Sequence, residues 1–283
     1  MDPIVLADGL PFPSRVQLDA SDGHVYFSCQ QGSVHRVARA GGPLETLASG
    51  SAGAFCATAD ASHVYWVTLA SVSEVLRVPK AGGPVEQVAR SSSAEFFALT
   101  SKSVLLTTFG GTLYEVPKEG GNPVPLLEGY GCAGTPLVDG DVVFSATSGS
   151  LLLSLRPGCG DPTVLCSVEG RPTYLAADAQ YLYWGSPQEE QIGRVPKVGG
   201  RPEVLVRGGA RGRFAVHGNR VFYASPEQHE VRWVNVHSGA GDALARSPWP
   251  YAIAVDGDGF AYWSCWGGRG VRAVGAIRKA RCP

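Results

Sequence analysis

The chain has 283 residues, a formal net charge of −1 and apolar side chains over 44 % of its length. A charge so near zero removes the electrostatic footprint that nucleic acid or an anionic membrane requires, and no apolar run reaches the ~18 residues of a membrane helix. Gly (37) and Pro (20) fill about a fifth of the sequence, which suits many turns and few helices.

The first segment, "MDPIVLADGLPFP", has neither a basic n-region nor an apolar h-region, so it does not read as a signal peptide. As written, the chain reads as cytoplasmic, or as exported if a leader has been removed. An apolar triplet then recurs along the chain, starting at Val25, Val64, Val104, Val142, Leu182, Val221 and Ala261. Its spacing stays close to 40 residues. Around each triplet the order is constant. A short run such as "TYLAAD" or "YAIAVD" ends near an Asp, and a polar turn such as "SDGH" or "DGDG" follows. After the triplet come a variable loop, a run of the form "GxVxRVPK", a "GG" turn and a run such as "PEVLV". That is four short strands rich in Val, Leu, Tyr and Trp, separated by turn chemistry.

Four-stranded units at this period predict an all-β chain, a seven-bladed β-propeller read as one domain over residues 1–283. Blades start near residues 14, 54, 94, 133, 172, 212 and 250. In each, "RVPK" ends the third strand, "xGG" makes the turn and Pro opens the fourth, edge strand. The last copy stops at "IRKARCP" and lacks a fourth strand, whereas "DPIVLADG" matches "RPEVLVRGG". Residues 3–7 are therefore expected to complete blade seven and close the ring.

The "YW" pairs Tyr65-Trp66, Tyr183-Trp184 and Tyr262-Trp263, set with "RVPKxGG", resemble the YWTD/NHL-like propellers, above all bacterial proteins with "YW…RVPKxGG" repeats. The resemblance spans the chain and implies the fold. The motif continues "YWVT", "YWGS" and "YWSC" without the Asp of YWTD, and seven blades stand where that family usually has six. Receptor-type functions are not carried over.

Seven cysteines contain no CxxC pair and no zinc-type Cys/His spacing. Cys159 and Cys166 are separated by an extended strand and are expected as free thiols; Cys29 and Cys265 stand at equivalent places on adjoining blades, where a bridge can form but the spacing of packed sheets favours free thiols. No GxSxG, P-loop or GxGxxG motif is present, and no cofactor is expected.

Function is sought on the loops between strands two and three and on the linkers joining blades, because rigid scaffolds carry function on loops. "SCWGGRGVRAVG" supplies Trp266, Arg269 and Arg272, and the linker "RSPWPYA" adds Trp249 and Tyr251. Aromatic and Arg side chains together can stack and clamp a planar, sugar or carboxylate ligand. They can equally cover the seam where the ring closes. Arg15, Arg171 and Arg213 start innermost strands, with Glu95 at a matching point; they would form an anion-attracting mouth, or Arg213 and Glu95 pair with neighbours. "GSPQEEQ" and "ASPEQHE" put Glu189, Glu190, Gln228 and His229 on equivalent loops. A His beside carboxylates can act as a general base or share a divalent metal, a theme similar to metal-assisted lyase propellers that open cyclic depsipeptides. Charged loop tips are also ordinary solvated surface. The leading expectation is a monomeric binding or interaction scaffold for a protein, peptide or glycan. The alternative is a metal-assisted lyase or hydrolase using His229, Glu189 and Glu190.

Overall fold

The computed structural model describes residues 2–19, 21–68, 70, 72–267 and 274–283, with the backbone alone at Glu95. Its described elements are all β, arranged as seven four-stranded antiparallel sheets. Six of these sheets run in chain order; the seventh takes its outer strand from the start of the chain. This is a seven-bladed β-propeller. Blade one comprises Pro13–Leu18, His24–Cys29, Ser33–Ala38 and Glu45–Ala48. Blades two to seven open with Phe55–Ala59, Ala94–Leu99, Cys132–Asp139, Tyr174–Ala177, Phe214–His217 and Pro250–Val255. No helix among the described residues is long and apolar enough to cross a membrane.

Two compact units are distinguished by their internal contacts. The first consists of Met1–Ala70, Val75–Glu86 and Gly212–Pro283, and the second of Ser71–Glu74 and Gln87–Arg211.

In the first unit the strand Ile4–Pro11 pairs antiparallel with Val274–Arg281, in register from Ile4↔Lys279 to Pro11↔Val274. The strand begins where the match to "PEVLV" predicts but runs four residues beyond Ala7. Two irregularities, between Val5 and Ala7 and between Ala7 and Leu10, let it stay paired past the expected end. Leu6, Ala7 and Leu10 point into a core with Val25, Phe27, Tyr262 and Ile277.

The repeated "RVPK" has a mechanical explanation. Its Arg lies across from the Tyr of the triplet and reaches a Glu on the fourth strand. Arg36 faces Tyr26 and bonds Glu45 at 2.7 Å, and Arg77 faces Tyr65 and bonds Glu86 at 2.8 Å. The Tyr hydroxyl in turn donates to an Asp in the preceding turn, as from Tyr26 to Asp22 at 2.6 Å and from Tyr262 to Asp256 at 2.9 Å. The Lys crosses to the preceding blade, where Lys80 of blade two pairs with Asp19 of blade one, both nearly buried. Arg36 also donates to the carbonyl of Lys80 at 2.8 Å. "RVPK" in blade two thus ties strand three to strand four and that blade to blade one.

The second unit repeats this device in blade five. Arg194 faces Tyr183 and bonds Glu203 at 2.8 Å, and Lys197 reaches Asp139 of blade four. Blade four departs from it. Phe144, Ser154 and Thr163 hold the register positions of Tyr, Arg and Glu. The missing side chains leave a cavity of about 370 Å³ lined by these residues with Asp139, Asp161 and Lys197.

These latches predict acid sensitivity. Burial opposes ionisation of Asp19, but hydrogen bonds from Lys80 and Ser21 outweigh it and hold the carboxyl below its usual range. Asp178 is likewise desolvated yet held low by the Tyr183 hydroxyl, two backbone N–H groups and the Lys197 charge. A carboxyl depressed in the folded state stabilises above its unfolded pKa of ~4 and loses that stabilisation as pH falls through the folded value. Wild-type melting temperature should therefore drop as pH is lowered through and below ~4. Asp19→Asn should melt a few degrees lower at pH 7 and lose less on acidification, as read by calorimetry across pH 2–7.

Candidate functional site

Among the described residues, two left-handed backbone positions recur in several blades. One lies just before strand three, at Gly32, Gly111, Ser150, Glu190 and His229; all but Gly111 immediately precede that strand. Three of these have φ of 68°, 54° and 56° at the non-glycine residues Ser150, Glu190 and His229. Each carbonyl accepts a hydrogen bond from the segment leaving its own blade: Ser51 to Gly32, Cys132 to Gly111, Val168 to Ser150, Gly208 to Glu190 and Ser247 to His229. The other position precedes strand one, at Phe12, Ser93, Gly131 and Trp249. Its carbonyl accepts from the residue after strand two, as from Gln30 to Phe12 and from Trp266 to Trp249. These bonds stitch the incoming linker to the loop after strand two, and the loop before strand three to the outgoing linker.

Glycine takes this conformation without steric cost, whereas another residue pays ~1–2 kcal/mol. In the first unit Gly32 holds one position, while His229, Trp249 and Phe12, of blades six, seven and one, hold the others described, and their rings meet others. Trp249 stands edge-on to His229 with centroids 5.2 Å apart, and its N–H approaches His229 Nδ1 at 3.4 Å. Phe12 stands edge-on to Trp266 at 6.1 Å. Trp266 stacks on Tyr251 at 4.6 Å and 25°, and its indole N–H donates to the Pro13 carbonyl at 2.9 Å. Phe12, Trp249, Tyr251 and Trp266 are all half-buried. Beside His229, a cavity of about 500 Å³ is lined by Gln228, Glu230, Arg246, Ser247 and Pro248.

Below this cluster the first strands of four blades lie side by side. The strand Pro13–Leu18 packs on Phe55–Ala59 and on Pro250–Val255, which also packs on Phe214–His217. Arg213 is buried; its N–H donates to the Tyr251 carbonyl at 2.9 Å and its Nη2 to Cys56 Sγ at 3.4 Å. Arg15 joins it from blade one. Burial, then the Arg213 charge, push its pKa down to about 10, partly offset by Cys56.

The other expected residues are engaged separately. Glu190 accepts from Gly209 N–H at 2.6 Å and Arg211 Nε at 2.7 Å, and these two bonds hold its carboxyl below the usual range. Glu189 accepts from the Arg171 N–H at 3.3 Å, packed where Gly170 leaves no side chain in the way. The Arg171 side chain is exposed. Among the described residues, no three His, Cys, Asp or Glu side chains are grouped to hold a metal. Arg269 and Arg272 lie outside the described residues. All seven cysteines are free thiols, with Cys29 and Cys265 both buried. Phe12 and Cys56 were not among the expected residues. "LPFPSR" against "SPWPYA" marks Phe12 as the counterpart of Trp249, whereas nothing in the sequence around Cys56 sets it apart.

No family model matches the chain, and no curated protein is detectably similar. Among solved structures, the chain is similar to a streptogramin B lyase, with a TM-score of 0.78 and 11 % identity over 99 % of this chain and 97 % of that one. BamB from Moraxella catarrhalis aligns at a TM-score of 0.62 and 14 % identity over 93 % and 81 % of the two chains. A chain of a nidogen/laminin complex aligns at 0.55 and 15 % over 72 % and 86 %. At such identities the likeness is one of fold: the chain is a β-propeller.

Proposed function

We propose that the chain is a binding propeller whose loops in blades six, seven and one take a peptide segment of a protein partner. One observation carries this reading. Bulky rings occupy left-handed positions that recur through the fold and accept glycine without strain, and there the rings pack on one another half-open to solvent. Strain kept at a loop cluster is a mark of a functional surface, and Trp and Tyr are the side chains that anchor interfaces. The nidogen/laminin complex lends support as a propeller-like chain met in a protein assembly. We infer too that the repeats are of the bacterial "YW…RVPKxGG" type, supported by the Tyr–Arg–Glu ladder that these residues build.

A second reading, a lyase, draws on the likeness to streptogramin B lyase and on the cavity beside His229. Glu189 and Glu190 are already committed to Arg171 and Arg211, which weakens it. One experiment separates the two. Intact protein is applied to arrays of peptides and glycans with EDTA, then with Mg²⁺, Ca²⁺ or Zn²⁺. The binding reading expects metal-independent peptide signals, reduced at least tenfold by Tyr251→Ala or His229→Gly. His229→Gly should keep its melting temperature within ~4 °C of wild type, because relief of a left-handed residue offsets lost ring contact. Signals unaffected by both substitutions would refute the site, and signals appearing only with metal would favour the lyase.

A further inference from the structure

The guanidinium of Arg15 makes no hydrogen bond and no ion pair among the described residues, and its Nη1 is sealed from solvent without a partner. Buried polar atoms rarely stay unpaired, and a charged one is expensive to leave so. Its charged neighbour is a second guanidinium, Arg213, which donates to the Cys56 thiol. Both side chains remain cationic at neutral pH. Folding the first unit therefore brings two like charges together and leaves donors on one of them pointing at nothing. Several other arginines are answered by carboxylates: Arg36 by Glu45, Arg77 by Glu86, Arg194 by Glu203 and Arg211 by Glu190.

We propose that Arg15, flanked by Arg213, forms a subsite for an oxyanion, namely a carboxylate or the sulfate or phosphate group of a ligand. The inference rests on the binding reading above, since Arg213 donates to the backbone of Tyr251 and Pro13 accepts from Trp266, two residues ahead of Arg15. A ligand lying on the Trp266–Tyr251 stack would bring its anionic group to the Arg pair. A guanidinium fork matches an oxyanion by paired N–H···O bonds, and one bound anion would both fill the idle donors of Arg15 and neutralise the repulsion.

The test is thermal unfolding of the full chain at constant ionic strength, with chloride replaced stepwise by acetate, sulfate or phosphate. Wild type, Arg15→Met and Arg15→Lys are compared. Sulfate and phosphate raise melting temperatures generally, so the reading is the difference between wild type and Arg15→Met. Wild type should show a saturable rise, corresponding to about a hundredfold gain in folding constant at a hundred times the dissociation constant. Arg15→Met should lack that component and, in chloride at low ionic strength, melt at or above wild type because a repelled charge is gone. Arg15→Lys should keep a weaker response. Which anion saturates lowest distinguishes a carboxylate from a sulfate or phosphate group. An equal rise in Arg15→Met overturns the subsite, as does a melt lowered by the same amount in every salt, the mark of a packing role. A peptide held equally by wild type and Arg15→Met would also overturn it while leaving the binding reading intact. Arrays returning no ligand, with the Arg15-dependent acetate response present, would support the subsite and count against the binding reading instead.

Discussion

Removal of residues 2–11 should lower the melting temperature by ~10–20 °C or prevent folding. The strand Ile4–Pro11 is the outer strand of blade seven, and without it Val274–Arg281 becomes an unpaired edge. Leu6 and Leu10 are 8 % and 3 % exposed and belong to a core shared with blade one. Losing two such side chains alone costs ~4–10 kcal/mol by analogy with buried Leu truncations, and each kcal/mol is worth ~2–4 °C in a chain approaching this size. Leu10→Asp should approach the full effect from one residue, since it buries a charge with no partner. Ile4→Ala, at a position 55 % exposed, should change the melt by no more than ~1–2 °C. A truncated protein melting within a few degrees of wild type would mean that the N-terminal strand carries little of the fold's stability.

The architecture was readable because each blade is built by local, repeated chemistry. The strand order, the turn positions and the N-terminal pairing all follow from matching one 40-residue pattern to itself. What the pattern could not disclose was the work of its most regular residues. The sequence placed "RVPK" at the end of the third strand and assigned its charged residues no partner, yet Arg77 clamps two strands and Lys80 crosses to Asp19 on another blade. Pairings between repeats leave no spacing signal, because the partner lies some 60 residues away.

The site was legible in part. Trp266, Tyr251 and Trp249 were expected together: Trp266 stacks on Tyr251 and its backbone N–H donates to the Trp249 carbonyl, while the Trp249 ring meets His229. The reason is backbone geometry: Trp249 has φ of 45°, which turns its side chain toward the neighbouring loop tip. Glu190 and His229 were paired by equivalent positions, and they are equivalent, both in left-handed backbone before strand three. That equivalence explains their backbone role and says nothing of their side chains, which find Arg211 in one case and Trp249 in the other. Arg15, Arg171 and Arg213 were expected to converge on an anion-attracting mouth. Arg15 does feel the Arg213 charge, whereas the Arg171 side chain is exposed; which first strands bring their starts together is tertiary information.

Gly193→Val should be strongly destabilising to the second unit. Gly193 interrupts the third strand of blade five directly opposite Trp184 in the sheet register. A Cβ there would stand 2.2 Å from Trp184 Cζ2 and 2.7 Å from the Glu203 carbonyl oxygen, so neither ring nor backbone leaves room. Trp184 cannot retreat, because it is 1 % exposed and packed among Phe144, Leu152, Leu182 and Val195. Ordinary overpacking costs ~1–3 kcal/mol; a clash against backbone as well puts this one at ~3 kcal/mol or more, or a loss of ~6–12 °C. The glycine is therefore a shape requirement of the indole rather than a turn residue. That account makes a further demand, because residues in contact are not additive. Trp184→Leu alone should cost ~2–4 kcal/mol through the cavity it leaves, yet combined with Gly193→Val it should cost less than the two together, the valine filling space the indole vacates. Urea titrations of the four proteins measure the coupling directly. Strict additivity would mean that the glycine serves the backbone alone and that the indole is not what excludes a side chain from residue 193.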